Sequence, residues 1–182
     1  MLARYRIKNL KILLPGIICV LVLFLTNMSI WYYPITFGLV IGLLNFRRHV
    51  YQPFIGVLLS LAASLVSFWA AYFCLGVFTS LRKKLYTNNE IIVDDLTFYD
   101  ALITPFVITP LLTFFFYRHV FKIGISRSGF FVIIASVLLL ILVFSFFWFY
   151  LQEFNFSNKL PYMIWQLIMA TALQILINKK VN

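Results

Sequence analysis

The chain has 182 residues, 63% of them hydrophobic and only 11% charged, with 15 Lys plus Arg against 5 Asp plus Glu and a net charge of +10. Soluble domains average about 45–50% apolar and about 25% charged residues, so this composition excludes a soluble globular protein. A strongly basic balance would suggest nucleic acid in a soluble protein; in so apolar a chain it reads as the Lys and Arg that flank membrane spans on their cytoplasmic side, and no nucleic-acid partner is expected.

Apolar runs predict an all-α polytopic membrane bundle of about six transmembrane helices, forming one domain with no extramembrane domain. Arg4, Arg6, Lys8 and Lys11 precede the first run, residues 12–25, and no small-x-small site follows it in "LTNMS", so an uncleaved first span is expected. The second run is 30–46. Both are short of the roughly 20 residues that cross a bilayer, and they read as two spans, a short hairpin, or one tilted span. The third run, 54–78, is long enough alone, and an outer loop at 79–100 follows it. That loop contains "NNEIIVDDLTFYD", which holds four of the five acids. Thr97 and Asp100 there make a T-x-x-D capping box ahead of the fourth run, 101–117. The fifth run is 130–151 and the sixth 161–177.

Charge selects among the topologies. Six spans with both termini inside put eleven Lys and Arg on the inner face and four on the outer, whereas fusing the first two runs gives eight against seven. The positive-inside rule favours the six-span arrangement, in a bacterial cytoplasmic (inner) membrane. Trp31, Tyr32, Tyr33, Trp148, Tyr150, Tyr162 and Trp165 then fall near outer ends, and Tyr51 and Tyr117 near inner ends, as interfacial belts.

Three spans carry features of their own. In the third, Gly56, Ser60, Ser64, Ser67 and Ala71 recur at three- and four-residue spacing on one face. Such a stripe lets backbones approach in lipid, so this helix is expected to be central or to form an oligomer seam; a ligand groove is the sharper reading. The fourth repeats "ITP", placing Pro105 and Pro110 as a kink or hinge whose freed carbonyls Thr104, Thr109 and Thr113 can bond. The sixth carries Gln166, Ala170 and Gln174 on one face, amides that need partners across an interface. The fifth is apolar all round apart from its serines and is expected to face lipid, Leu140 included.

Two turns echo each other on the inner face: Arg47, Arg48, His49 and Tyr51 after the second span, and Arg118, His119 and Phe121 after the fourth. Lipid headgroups account for the basic residues. The repeated pairing of Arg with His and an aromatic suggests one docking surface for an acidic cytoplasmic protein.

No Asp, Glu, Lys, Arg or His falls within the core of any predicted span, and H-E-x-x-H, G-x-S-x-G, C-x-x-C and P-loop patterns are absent. Catalysis, a cofactor and a metal site are therefore not expected. Cys19 and Cys74 read as packing residues. The functions left are a non-catalytic membrane subunit that anchors or senses for a cytoplasmic partner, a membrane effector or pore of a bacterial phage-defence or bacteriocin-immunity system, and a substrate-binding subunit for a small neutral solute. The partners implied are membrane lipids, a second copy of the chain and a cytoplasmic protein. In length and span number the chain resembles the substrate-binding subunits of energy-coupling-factor transporters and the membrane subunits of rod-shape complexes; it carries no residue motif of either.

Overall fold

The computed structural model describes residues 2–26, 30–85, 102–124, 126–149 and 159–178, and the regular elements among them are all helical. The helices are α1, Leu2–Thr26; α2, Tyr33–Leu44; α3, Pro53–Leu85; α4, Thr109–Phe121; α5, Arg127–Phe149; and α6, Leu160–Asn178. Short 3-10 turns at Ile30–Tyr32 and Phe46–Arg48 bracket α2, and a π-helical turn at Thr104–Ile108 leads into α4. The capping box at Thr97 and Asp100 lies outside the described residues, as does the whole of the acidic segment.

Among the described residues, three helices are long and apolar enough to cross a membrane: α3 over Pro53–Leu81, α5 over Arg127–Phe147 and α6 over Leu160–Asn178. Their outward residues are large and apolar, Phe73 and Leu142 among them, as a lipid-facing surface requires. The first two apolar runs form two helices rather than one. Pro34 sits in the first turn of α2, where a missing N–H costs nothing. At 12 residues, α2 is about 18 Å long, well under the roughly 30 Å hydrocarbon core. The third helix outruns its sequence-based limit of residue 78. No Gly or Pro interrupts 79–85, and the chain stays helical where a loop was expected.

Side-chain contacts fix how the helices run. Tyr33 meets Tyr162, with ring centroids 5.6 Å apart, while Asn45 bonds Gln174, so α2 runs parallel to α6. Gly16 lies against Leu167, and Leu23 clusters with Tyr33 and Met163, so α1 runs antiparallel to both. The bundle thus has a Trp31 end, where Trp31 stacks on Trp69 at 5.3 Å, and a His49 end, where His49 stacks on Phe121 at 4.7 Å.

Of α3 and α6, α6 is the more deeply buried. Met169, Ala170 and Leu173 of α6 are fully buried, whereas α3 turns Trp69, Tyr72 and Phe73 outward. The small face of α3 packs on α2 instead. Gly38 and Gly42 of α2 form a G-x-x-x-G pair against it: a Cβ on Gly38 would lie 2.7 Å from Leu61 Cα, and one on Gly42 3.1 Å from Ser60 Cβ. The expectation for α5 also needs correction. Most of it faces outward, but Ser136, Leu140, Phe144 and Phe147 form one buried face, and Leu140 has no exposed surface. Phe144 packs on Phe106 at 4.6 Å. An all-apolar helix gives no sequence contrast between its lipid and protein faces, which is why this face was not legible.

Candidate binding site at the Trp31 end

The π-helical turn starts from its prolines. Pro110 has no N–H to give the carbonyl of Phe106, so a regular helix cannot run through this segment. The backbone absorbs the fault by widening one turn: the N–H of Thr109 bonds Thr104 O instead of Pro105 O. The Thr109 hydroxyl also donates to Thr104 O at 3.0 Å, and the Thr113 hydroxyl to Thr109 O at 2.7 Å. The Pro105 carbonyl, left over, accepts the indole N–H of Trp165 at 2.9 Å. The twin-proline kink is therefore a π-bulge tied to α6. Of the three threonines expected to bond carbonyls, Thr109 and Thr113 do; Thr104 does not.

This wide turn faces the small face of α3 across a cavity of about 320 Å³. Its walls come from α2, α3, α6, the π-turn and α4. Ser64 and Ala71 of the stripe line it, with Thr104, Pro105, Thr109 and Thr113 opposite and Gln166 from α6. Trp31, Tyr33, Phe37, Phe68, Tyr72, Tyr162 and Trp165 supply most of the remaining surface, and among the described residues none that lines it is charged. Part of each of three sequence features that looked separate — Ser64 and Ala71 of the stripe, Pro105 of the twin prolines and Gln166 of the sixth-span amides — thus meets at one place. Trp31, Tyr33, Tyr162 and Trp165, expected as interfacial belts, are part of its wall.

Behind the cavity surface, two buried oxygens are without hydrogen-bond partners among the described residues. The Gln166 amide donates to Tyr33 O at 3.0 Å, but its carbonyl oxygen has no partner. The Thr104 hydroxyl has none either. Both side chains are almost wholly buried, at 1% and 2% exposure. A buried polar atom left without a partner costs about 1–3 kcal/mol.

The rest of the expected residues lie elsewhere. Ser67 donates to Ala63 O at 2.7 Å, and Pro110 is buried in α4. Gly56 does not bring two helices together; its missing Cβ makes room for the His49 ring, which any side chain there would overlap. Ser60 lies below the same ring, 3.5 Å from His49 Nε2. Gln174 belongs to the His49 end. It exchanges two hydrogen bonds with Asn45, at 3.0 and 3.2 Å, and Asn45 also donates to Ile41 O at 3.0 Å. The sixth-span amides do find partners across helix interfaces, as expected. Asn45 itself was not singled out from the sequence, since one Asn before a basic turn resembles an ordinary helix end.

The two basic turns do lie side by side. The N–H of Val50 donates to Val120 O at 3.1 Å. Phe121 stacks between His49 and Tyr117, the latter at 5.9 Å, and is 7% exposed. Phe121 is therefore a core residue and offers nothing to a partner, contrary to expectation. Tyr117, expected at an interface, is fully buried. Its hydroxyl donates to Ser60 O at 3.0 Å and, having spent its one proton, accepts from the Ser64 hydroxyl at 2.7 Å. Arg48 donates to Ile177 O at 3.3 Å and bonds the Asn178 side chain, placing a cation at the C-terminal end of α6 where the helix dipole favours it. Arg47, Tyr51, Arg118 and His119 remain on the surface. Among the described residues no group of three or more His, Cys, Asp or Glu could hold a metal ion.

The fold and site define, among the described residues, a helical bundle with helices long and apolar enough to cross a membrane and a partly open cavity without charged lining residues. No family model, curated protein or solved structure matches it.

Proposed function

We propose that this chain is a non-catalytic, multi-pass membrane subunit that binds a small uncharged solute in the cavity at its Trp31 end. The observation that carries this is the cavity itself: about 320 Å³, lined by aromatic and small residues, with the hydroxyl-bearing Ser64, Thr104, Thr109 and Thr113 and the amide-bearing Gln166 among them. Small-molecule sites are of this kind, apolar with a few polar groups, and start at about 300 Å³. Charge placement supports a six-span arrangement with both termini in the cytoplasm, which opens the cavity toward the outer face. The test uses protein purified in lipid nanodiscs. Small molecules released on denaturation are compared by mass spectrometry between the wild type and Ala71→Phe, which fills the cavity from a residue 3% exposed. A compound held by the wild type and lost from a folded Ala71→Phe is the expected result. Equal extracts, with no compound retained by either, refute it. Sidedness has its own test. In a Cys74→Ser background, introduced cysteines at Asn89 and Asn158 should label from outside and those at Gln52 and Ser126 should not; strong external labelling at Gln52 breaks the six-span model.

A second reading concerns the other end. The pairing of the two basic turns through Val50 and Val120 supports a docking surface for an acidic cytoplasmic protein, built from Arg47, Tyr51, Arg118 and His119. The ring column Tyr117–Phe121–His49 runs from Ser64 in the cavity wall to this surface, so one subunit would bind at one end and report at the other. Tyr51→Ala with His119→Ala keeps every Arg, and hence the insertion signal, and should abolish partner capture while leaving abundance unchanged. Full capture by that double variant rejects the surface.

A further inference from the structure

We infer that a groove between α4 and α5, at the His49 end, holds one tail of an anionic phospholipid from the surrounding bilayer, with Arg118 taking the headgroup phosphate. This groove is separate from the cavity at the Trp31 end, and its occupancy is independent of any solute there.

The groove has a volume of about 200 Å³. Its α4 wall is Leu111, Phe114, Phe115 and Arg118, which recur at i, i+3, i+4 and i+7 and so make one face of the helix. Seven residues of helix rise about 10 Å, so this wall is apolar along most of its length and ends on a cation. Phe130 and Ile133 form the α5 wall. Leu111, Phe115 and Phe130 are all exposed, so the groove opens on the apolar outer surface of the bundle, where a membrane supplies hydrocarbon. Small-molecule sites start at about 300 Å³, so a groove of this size takes a length of chain and leaves the rest of its owner outside. Charge then selects the owner. Arg118 is the one charged residue among those that line the groove, and no described residue is an acid that could pair with it. An arginine stem can lie along an apolar wall while its guanidinium reaches the interface and forks onto a phosphate. Lys122 and Arg127 are exposed in the turn from α4 into α5, at the same end of the groove. Arg127 opens α5, whose first turn has no acid; a cation is disfavoured at this positive end of a helix, and an anion at the corner relieves it. A zwitterionic lipid brings a cation of its own and gains less here than an anionic one.

The experiment equilibrates the full chain, purified in detergent, with equal amounts of dioleoyl phosphatidylglycerol and dioleoyl phosphatidylcholine, and counts retained lipid by native mass spectrometry. The wild type should keep one phosphatidylglycerol per chain in about tenfold preference to phosphatidylcholine, the effect of one charge-assisted hydrogen bond. Arg118→Gln should bring that ratio near one. Lys11→Gln removes the same charge from an exposed site on α1 and should leave the ratio as it was. Ile133→Trp fills the groove without changing any charge and should lose the retained lipid; Gly124→Leu fills it from the turn, should Ile133→Trp fail to give monodisperse protein. A wild type without the preference overturns the inference, as does a preference that survives Arg118→Gln. A fall in Lys11→Gln as large as in Arg118→Gln also overturns it, because net charge would then be the cause. Lipid kept in full by a folded groove-filling variant overturns it too, since the headgroup would then bind without the groove.

Discussion

The two ends of the bundle are built from the same helices and finished differently. At the His49 end the small residues of the α2–α3 contact have been filled. The His49 ring covers Gly56, Ser60 packs against Gly42, and the amides of Asn45 and Gln174 satisfy each other. At the Trp31 end the small residues Ser64 and Ala71 face open space, and Gln166 and Thr104 keep unused oxygens. Small side chains close the distance between helices only where a partner helix carries the matching gap. Gly38 and Gly42 supply that gap along α2, and beyond them the π-turn holds α4 away. One end therefore behaves as a clamp and the other as a receptacle.

The largest expected effect tests the clamp. Gly38→Leu must separate α2 from α3, because even a Cβ there would lie 2.7 Å from Leu61 Cα. Overpacking costs about 1–3 kcal/mol and rises when the obstacle is backbone, so loss of monodisperse protein on size-exclusion chromatography is expected. Normal yield and melting temperature would mean the α2–α3 contact is not the clamp. Leu140→Ala comes next, at about 2–5 kcal/mol, against a near-neutral Leu142→Ala two residues away on the exposed face. Equal melting temperatures for the two would remove α5 from the core.

A smaller pair of effects sharpens the contrast between the ends. Gln174→Leu leaves the buried Asn45 Oδ1 unpaired, while its Nδ2 keeps Ile41 O, and should cost about 1–3 kcal/mol in thermal stability. Gln166→Leu removes an oxygen that has no partner along with a single donated bond, so its cost should be clearly smaller. Adding Asn45→Leu to Gln174→Leu should recover part of the loss, because both halves of the pair become apolar. If Gln166→Leu proves the more damaging, the Trp31 end is the structural one and the comparison is reversed. The smallest effect belongs to the end of α4. Lys122 adopts a left-handed conformation, φ 50°, to let the Ile123 N–H close on Arg118 O at 3.0 Å. Lys122→Gly should raise stability by at most about 1 kcal/mol, read as a small upward shift in melting temperature.

The sequence by itself determined the solvent of this protein and its helical class. Burying a charge in lipid is so costly that 63% apolar residues and a handful of basic turns leave few alternatives. It also marked the residues that would matter inside the helices, because a Ser stripe, twin prolines and two glutamines stand out against Leu and Phe. It could not say what those residues would face. Whether Gly56 meets a helix or the His49 ring depends on how a turn folds back. Whether a glutamine is paired depends on Asn45, 129 positions away in the chain. Whether Leu140 sees lipid or protein depends on a rotation that an all-apolar helix does not encode. The cavity is the extreme case. It is the space left where α2, α3, α4 and α6 diverge around a widened turn, and empty space has no residues of its own to be read from a sequence.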